Sequence, residues 1–155
     1  MIKIMFVCHG NICRSTMAEF VMKDLVRRAG LADKFIINSS ATSREEIGSD
    51  IHYGTKAKLR EKGIPYTKRK AVQMTKADYD MYDYIIVMDN NNLYNLKYII
   101  GEDTEYKVYK MMSFVGENRD VKDPWYTGNF DETFVDIDRG CRALLMQIEN
   151  NANIW

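Results

Sequence analysis

The chain has 155 residues with 22 basic and 22 acidic side chains, so its formal net charge is zero. That balance provides no bulk attraction to nucleic acid or to a membrane surface. Hydrophobic residues make up 46% and charged residues 28%, proportions of a globular domain that buries roughly 70% of its extended-chain surface. One domain over residues 1–155 is expected, since the chain has two prolines and shows no low-complexity tract or internal repeat. The apolar runs are too short to cross a bilayer, and the first residues lack signal-peptide anatomy. Three cysteines then suggest functional thiols in a reducing, cytoplasmic compartment instead of a disulfide framework.

In chain order, Ile2-Lys3-Ile4-Met5-Phe6-Val7 reads as a buried strand and Thr16 to Leu25 as a helix, with Gly30 as its C-cap. Lys34 to Ser39 reads as the second strand and Thr42 to Ile51 as a polar loop. Tyr53 to Lys62 has helical spacing and stops at Gly63, and Thr75 caps a short helical turn. Tyr84-Ile85-Ile86-Val87-Met88 is an unbroken apolar run suited to a central strand. Asp89 to Ile100 reads as a helix, Tyr106 to Tyr109 as a strand and Val121 to Phe130 as a loop. Asp131 to Ile148 reads as a closing helix, apolar at Phe134, Ile137, Cys141, Leu144, Leu145 and Ile148. Alternating strands and helices imply an α/β fold: a parallel sheet with right-handed crossovers and helices on both faces.

Between the first strand and the first helix lies Cys8-His9-Gly10-Asn11-Ile12-Cys13-Arg14-Ser15. A turn there aims backbone N–H groups at one centre, and the helix N-terminus adds partial positive charge. An oxyanion would sit in that cup, with Cys8 at its floor, where the field favours thiolate over thiol. Arg14 would supply two parallel donors to two anion oxygens. Such a turn leaves the carboxyl end of a strand, where open α/β sheets bind ligands.

The run VCHGNICRS resembles the low-molecular-weight protein tyrosine phosphatase family, whose usual form is V-C-x-G-N-I-C-R-S-P. The resemblance implies a doubly wound, four-stranded parallel sheet of flavodoxin-like type. It also implies hydrolysis of phosphotyrosine and small aryl phosphates through a phosphocysteine intermediate. Asp123-Pro124-Trp125-Tyr126 matches the family's D-P-aromatic-aromatic loop, so Asp123 is expected to protonate the leaving oxygen and then activate water. Pro124 would stiffen the backbone beside the acid. Cys8, Arg14 and Asp123 are thus the expected catalytic residues. His9, Gly10, Asn11, Ile12, Cys13, Ser15, Trp125 and Tyr126 are the expected substrate-binding residues. Trp125 is expected to face substrate as one wall of an aromatic slot, with Tyr126 beside it.

Several positions carry further expectations. Asn11 tolerates a left-handed backbone and would hold the loop, with Ser39 as partner. Ser15 would donate to the Cys8 sulfur or cap the helix. Cys13 would form a reversible disulfide with Cys8 or fill a small apolar space, and Cys141 would be core. The family's second aromatic wall falls near Glu45, so either Tyr53 or His52 replaces it or the slot is more open and acidic-lined. Arg69 stands about where the family often has a histidine, and Thr16 where it has proline. By default Lys68-Arg69-Lys70 is a solvated face.

An arsenate reductase would need further downstream cysteines, and Cys141 stands alone there. An arginine phosphatase would carry Thr where this chain has Ile12. A silent phosphate-binding module would not retain Cys8, Arg14 and Asp123 together. Neither a metal nor a cofactor is expected, because Cys8, Cys13, His9 and His52 lack zinc-site spacing. The expected partner is a phosphotyrosine-containing protein or peptide, with no nucleic acid or membrane, and the chain a monomer or weak dimer.

Overall fold

The computed structural model describes residues 1–151; residues 152–155, the end of the expected 1–155 domain, lie outside the described residues. Strand β1 (Ile2–Cys8) pairs in parallel with β2 (Phe35–Ala41) on one side and β3 (Tyr84–Val87) on the other. β4 (Val108–Lys110) pairs in parallel with β3, so the order is β2-β1-β3-β4. This is the expected doubly wound, four-stranded sheet.

The period of two along β1 sorts its side chains between two cores. Ile4, Phe6 and Cys8 face one side, packed with residues of α1 (Arg14–Arg28), α2 (Tyr53–Glu61) and α6 (Phe130–Asn151). Met5 and Val7 face the other, with residues of α3 (Lys76–Met81) and α4 (Asn90–Ile100). Both faces are covered, which is why β1 and β3 are apolar almost throughout. The α6 stripe Phe134, Ile137, Cys141, Leu144, Leu145 and Ile148 is buried as expected, with Cys141 in the core.

Boundaries follow local chemistry. Gly30 and Gly63 take the left-handed conformation just past α1 and α2, at φ 74° and 68°. Thr75 and Asp78 form a reciprocal capping box at α3. Two expectations need correction. The fourth strand begins at Val108, not Tyr106, because Tyr106 turns to φ 54° and the Asp103 carboxylate accepts from Lys107 and Val108 N–H. The 121–130 segment is not wholly loop. Pro124–Thr127 forms a short helix, α5, with Asp123 accepting from Trp125 N–H at 3.0 Å and Pro124 at its start.

Three parallel strands end on the same edge, with Cys8 opposite Ala41 in β2 and Val7 opposite Val87 in β3. At that edge the connection from β1 runs toward β2 and the one from β3 toward β4, in opposite directions along the sheet order, which opens a crevice between β1 and β3. The 8–15 turn, Asp89 and the 121–127 segment meet there.

Candidate active site

The turn after β1 is buried yet leaves its own donors unused. Among the described residues, the backbone N–H groups of His9, Gly10, Asn11, Ile12 and Cys13 donate to no protein acceptor. Asn11, Ile12 and Cys13 are buried, where partnerless N–H groups are rare. Asn11 has the expected left-handed backbone, φ 59°. Ser15 lies inside α1, not at its cap, which is Cys13. Its Oγ sits 3.1 Å from Cys8 Sγ.

A guanidinium closes the cup from the side. Arg14 is 3% exposed and donates through Nη1 to Asp89 Oδ2 (2.7 Å) and the Val121 carbonyl (2.8 Å). Its Nη2 lies 3.4 Å from Asp123 Oδ2. Burial opposes its charge, but the Cys8 sulfur and the two carboxylates outweigh burial and raise its pKa. Asp89 was legible in sequence only as a helix start. It caps α4 by accepting from Asn92 N–H (2.7 Å) while its other oxygen anchors Arg14.

A polar network braces the turn from beneath. Asn11 Nδ2 donates to Ser15 Oγ (2.8 Å) and to Ser39 Oγ (3.0 Å), the expected partner. Asn11 Oδ1 accepts from Arg69 Nη2 (2.7 Å) and Val72 N–H (3.2 Å). Arg69 is no solvated residue: its side chain is 16% exposed and pairs with buried Glu19. The same Glu19 takes Ser39 Oγ–H at 2.5 Å and Lys23 at 2.6 Å. Sequence reading missed Glu19, whose partners Arg69 and Ser39 lie far along the chain.

The cleft above the cup is lined by Cys8, His9, Gly10, Ile12, Cys13, Arg14, Glu45, Glu46, Asp123, Trp125 and Tyr126. The side chains of Asn11 and Ser15, two of the expected substrate-binding residues, are outside this lining and brace the turn. Neither His52 nor Tyr53 supplies the missing aromatic wall. Tyr53 points to solvent, and His52 stacks between Tyr53 and Phe130 with an edge contact to Trp125 at 5.5 Å. Gly54 makes room for that stack, since a Cβ there would run into the Phe130 ring. The wall facing Trp125 and Tyr126 is therefore open and acidic. Cys13 packs with Ile12, Ala71 and Phe130, and burial first, then Cys8 and Asp123, push its thiol far up. None of the three cysteines is joined in a disulfide.

Unpaired N–H groups, a helix N-terminus and a fixed guanidinium beside a thiol make a cradle suited to an oxyanion, with a sulfur at hand. The family model for low molecular weight phosphotyrosine protein phosphatase matches residues 3–153. YfkJ of Bacillus subtilis, a low molecular weight protein-tyrosine-phosphatase, is 38% identical, with 99% of this chain and 100% of that one covered. PtpA of Staphylococcus epidermidis is 37% identical over 99% of this chain and 98% of its own. The crystal structure of YfkJ superposes with a TM-score of 0.94, covering 99% of this chain and 98% of that one. SP-PTP of Streptococcus pyogenes, 42% identical, superposes with a TM-score of 0.86 over 96% and 93%. The chain belongs to the low molecular weight protein-tyrosine-phosphatase family.

Proposed function

We propose that this chain hydrolyses phosphotyrosine in proteins or peptides, and small aryl phosphates, with Cys8, Arg14 and Asp123 as the catalytic residues. The observation that carries the reading is the set of partnerless backbone N–H groups from His9 to Cys13, arranged beside Arg14 and over Cys8. Such donors offer a phosphoryl dianion hydrogen bonds that the empty protein does not satisfy itself.

The Cys8 thiolate attacks phosphorus, forming the S–P bond as the bond to the phenolic oxygen breaks. Asp123 gives its proton to that oxygen and leaves as carboxylate. The carboxylate then takes a proton from water, whose oxygen attacks phosphorus and releases the Cys8 sulfur. Ser15 donates to the sulfur as it departs. The cup N–H groups and Arg14 hold the equatorial oxygens through both displacements. Trp125 supports the substrate ring, and Tyr126 lies beside it.

Hydrolysis of p-nitrophenyl phosphate and of peptides bearing phosphotyrosine, phosphoserine or phosphoarginine tests the reading. Phosphotyrosine is expected to be preferred. Cys8→Ser is expected to abolish turnover while retaining phosphate binding. Asp123→Ala is expected to lose at least about 100-fold with a poor leaving group and distinctly less with p-nitrophenolate. Turnover by Cys8→Ser at the wild-type rate would reject the nucleophile, and equal losses across leaving groups would reject the acid.

A further inference from the structure

We infer, on the basis of the phosphatase reading above, that Glu45 and Glu46 make the mouth of the cleft select phosphotyrosine segments flanked by lysine or arginine over segments flanked by acidic residues. The two walls of the mouth differ in kind. Trp125 and Tyr126 line the mouth with aromatic rings, and His9, Glu45 and Glu46 line it with polar and acidic side chains.

Both carboxylates are held in place there. His9 Nε2 lies 2.8 Å from Glu45 Oε2, and the Glu45 N–H donates to Ser43 Oγ at 3.3 Å. Ser49 Oγ donates to Glu46 Oε2 at 2.9 Å. The Glu46 stem lies over Gly10, its Cγ 3.4 Å from where a Cβ would stand. Basic side chains of the neighbouring segments are committed elsewhere. Arg44 donates to the Gln73 amide (3.1 Å) and lines the neighbouring cleft with it, Lys56 pairs with Asp50 (2.6 Å), and Lys122 faces Glu132 (3.5 Å). Arg14 is turned to the cup floor.

The charges of a bound substrate are therefore met at two levels. The phosphoryl dianion is answered by the cup and Arg14. Whatever flanks the tyrosine meets Glu45 and Glu46 as the peptide covers them and excludes part of the solvent, which strengthens their field. A lysine or arginine there gains a partner, and an aspartate or glutamate meets like charge. With an aromatic ring on one side only, the slot grips the tyrosine less, so flanking contacts weigh more in the choice between substrates.

The test compares two phosphotyrosine peptides of equal length, one with arginine and one with glutamate on both sides of the tyrosine. At low ionic strength, the wild-type kcat/KM is expected to favour the arginine peptide by about tenfold, falling to about threefold at ~0.5 M NaCl. The Glu45→Gln/Glu46→Gln variant is expected to bring the ratio to within about twofold of unity, and Glu45→Lys/Glu46→Lys to invert it. The ratio is read within each variant, so a general change in activity cancels. Equal rates for the two peptides in wild type, or an arginine preference that survives charge reversal, would overturn the rim assignment while leaving the phosphatase reading intact. Failure to hydrolyse either peptide, with p-nitrophenyl phosphate also untouched, would overturn both.

Discussion

The Ser15 hydroxyl has one hydrogen, and its neighbours decide where that hydrogen goes. Asn11 Oδ1 is pinned by Arg69 and Val72 N–H, so the Asn11 amide presents its Nδ2 donor to Ser15 and Ser39. Ser15 Oγ accepts from that amide, and once Cys8 gives up its proton the sulfur, 3.1 Å away, can only accept, so the hydroxyl hydrogen turns to it. Arg69 thus orients, through one amide, a hydroxyl that it does not touch. Replacing Arg69 with Met leaves Glu19 buried with only Lys23 as its cationic partner. The expected loss is roughly 2–4 kcal/mol of stability, measured by urea unfolding, together with slower turnover. Unchanged stability would show that the pair contributes nothing net. The cup residues themselves were legible because they are consecutive. Arg69 and Glu19 were not, because their pairing joins α1 to a loop 50 residues away and no local pattern records it.

At the scale of elements, α2 is tied to the substrate wall through its cap. His52 Nδ1 accepts from Gly54 N–H at 3.0 Å, and its backbone N–H donates to the Ile12 carbonyl at 2.9 Å. Its ring also backs Trp125. Burial lowers the imidazole pKa below its ordinary 6.5, against the opposing pull of Asp123 and Glu46. Protonation removes the acceptor that caps α2. The unfolded chain takes up the proton first as pH falls through 6.5, so stability drops from there down to the folded pKa and then levels. The His52→Asn variant keeps a capping oxygen without the titration. Between pH 7.5 and pH 5, wild type is expected to lose more stability than His52→Asn, as read from urea midpoints; parallel losses would exclude His52. Sequence pattern placed α2 to within a residue but offered His52 only as a replacement aromatic wall, because stacking on Phe130 depends on how α6 returns. The short α5 was missed for a different reason. Asp-Pro followed by Gly128 contains a cap, a first-turn proline and a left-handed stop, but the four-residue span is too brief for periodicity to register.

For the whole molecule, alternation of strands and helices was enough to imply a parallel α/β sheet. Four apolar runs marked the strands, and the doubly wound topology came from the family resemblance. Composition and spacing carry no information about which strands are neighbours, and it is the order β2-β1-β3-β4 that brings Asp89 and Asp123 to the turn after β1. The core is divided by that sheet into two layers, and the cup lies at the seam where the strands end. Its donors, unused within the protein, face the cleft and are free to take an anion. The consequence is thermal. An anion that settles among those N–H groups binds only the folded chain, so inorganic phosphate or vanadate at about a hundred times its Kd should add about 2.7 kcal/mol and raise Tm by roughly 5–10 °C. Arg14→Ala should lose most of that protection while Cys8→Ser keeps it. If so, heat resistance in this protein depends on how full its cup is, and a solution rich in phosphate shields the enzyme in the same act that inhibits it.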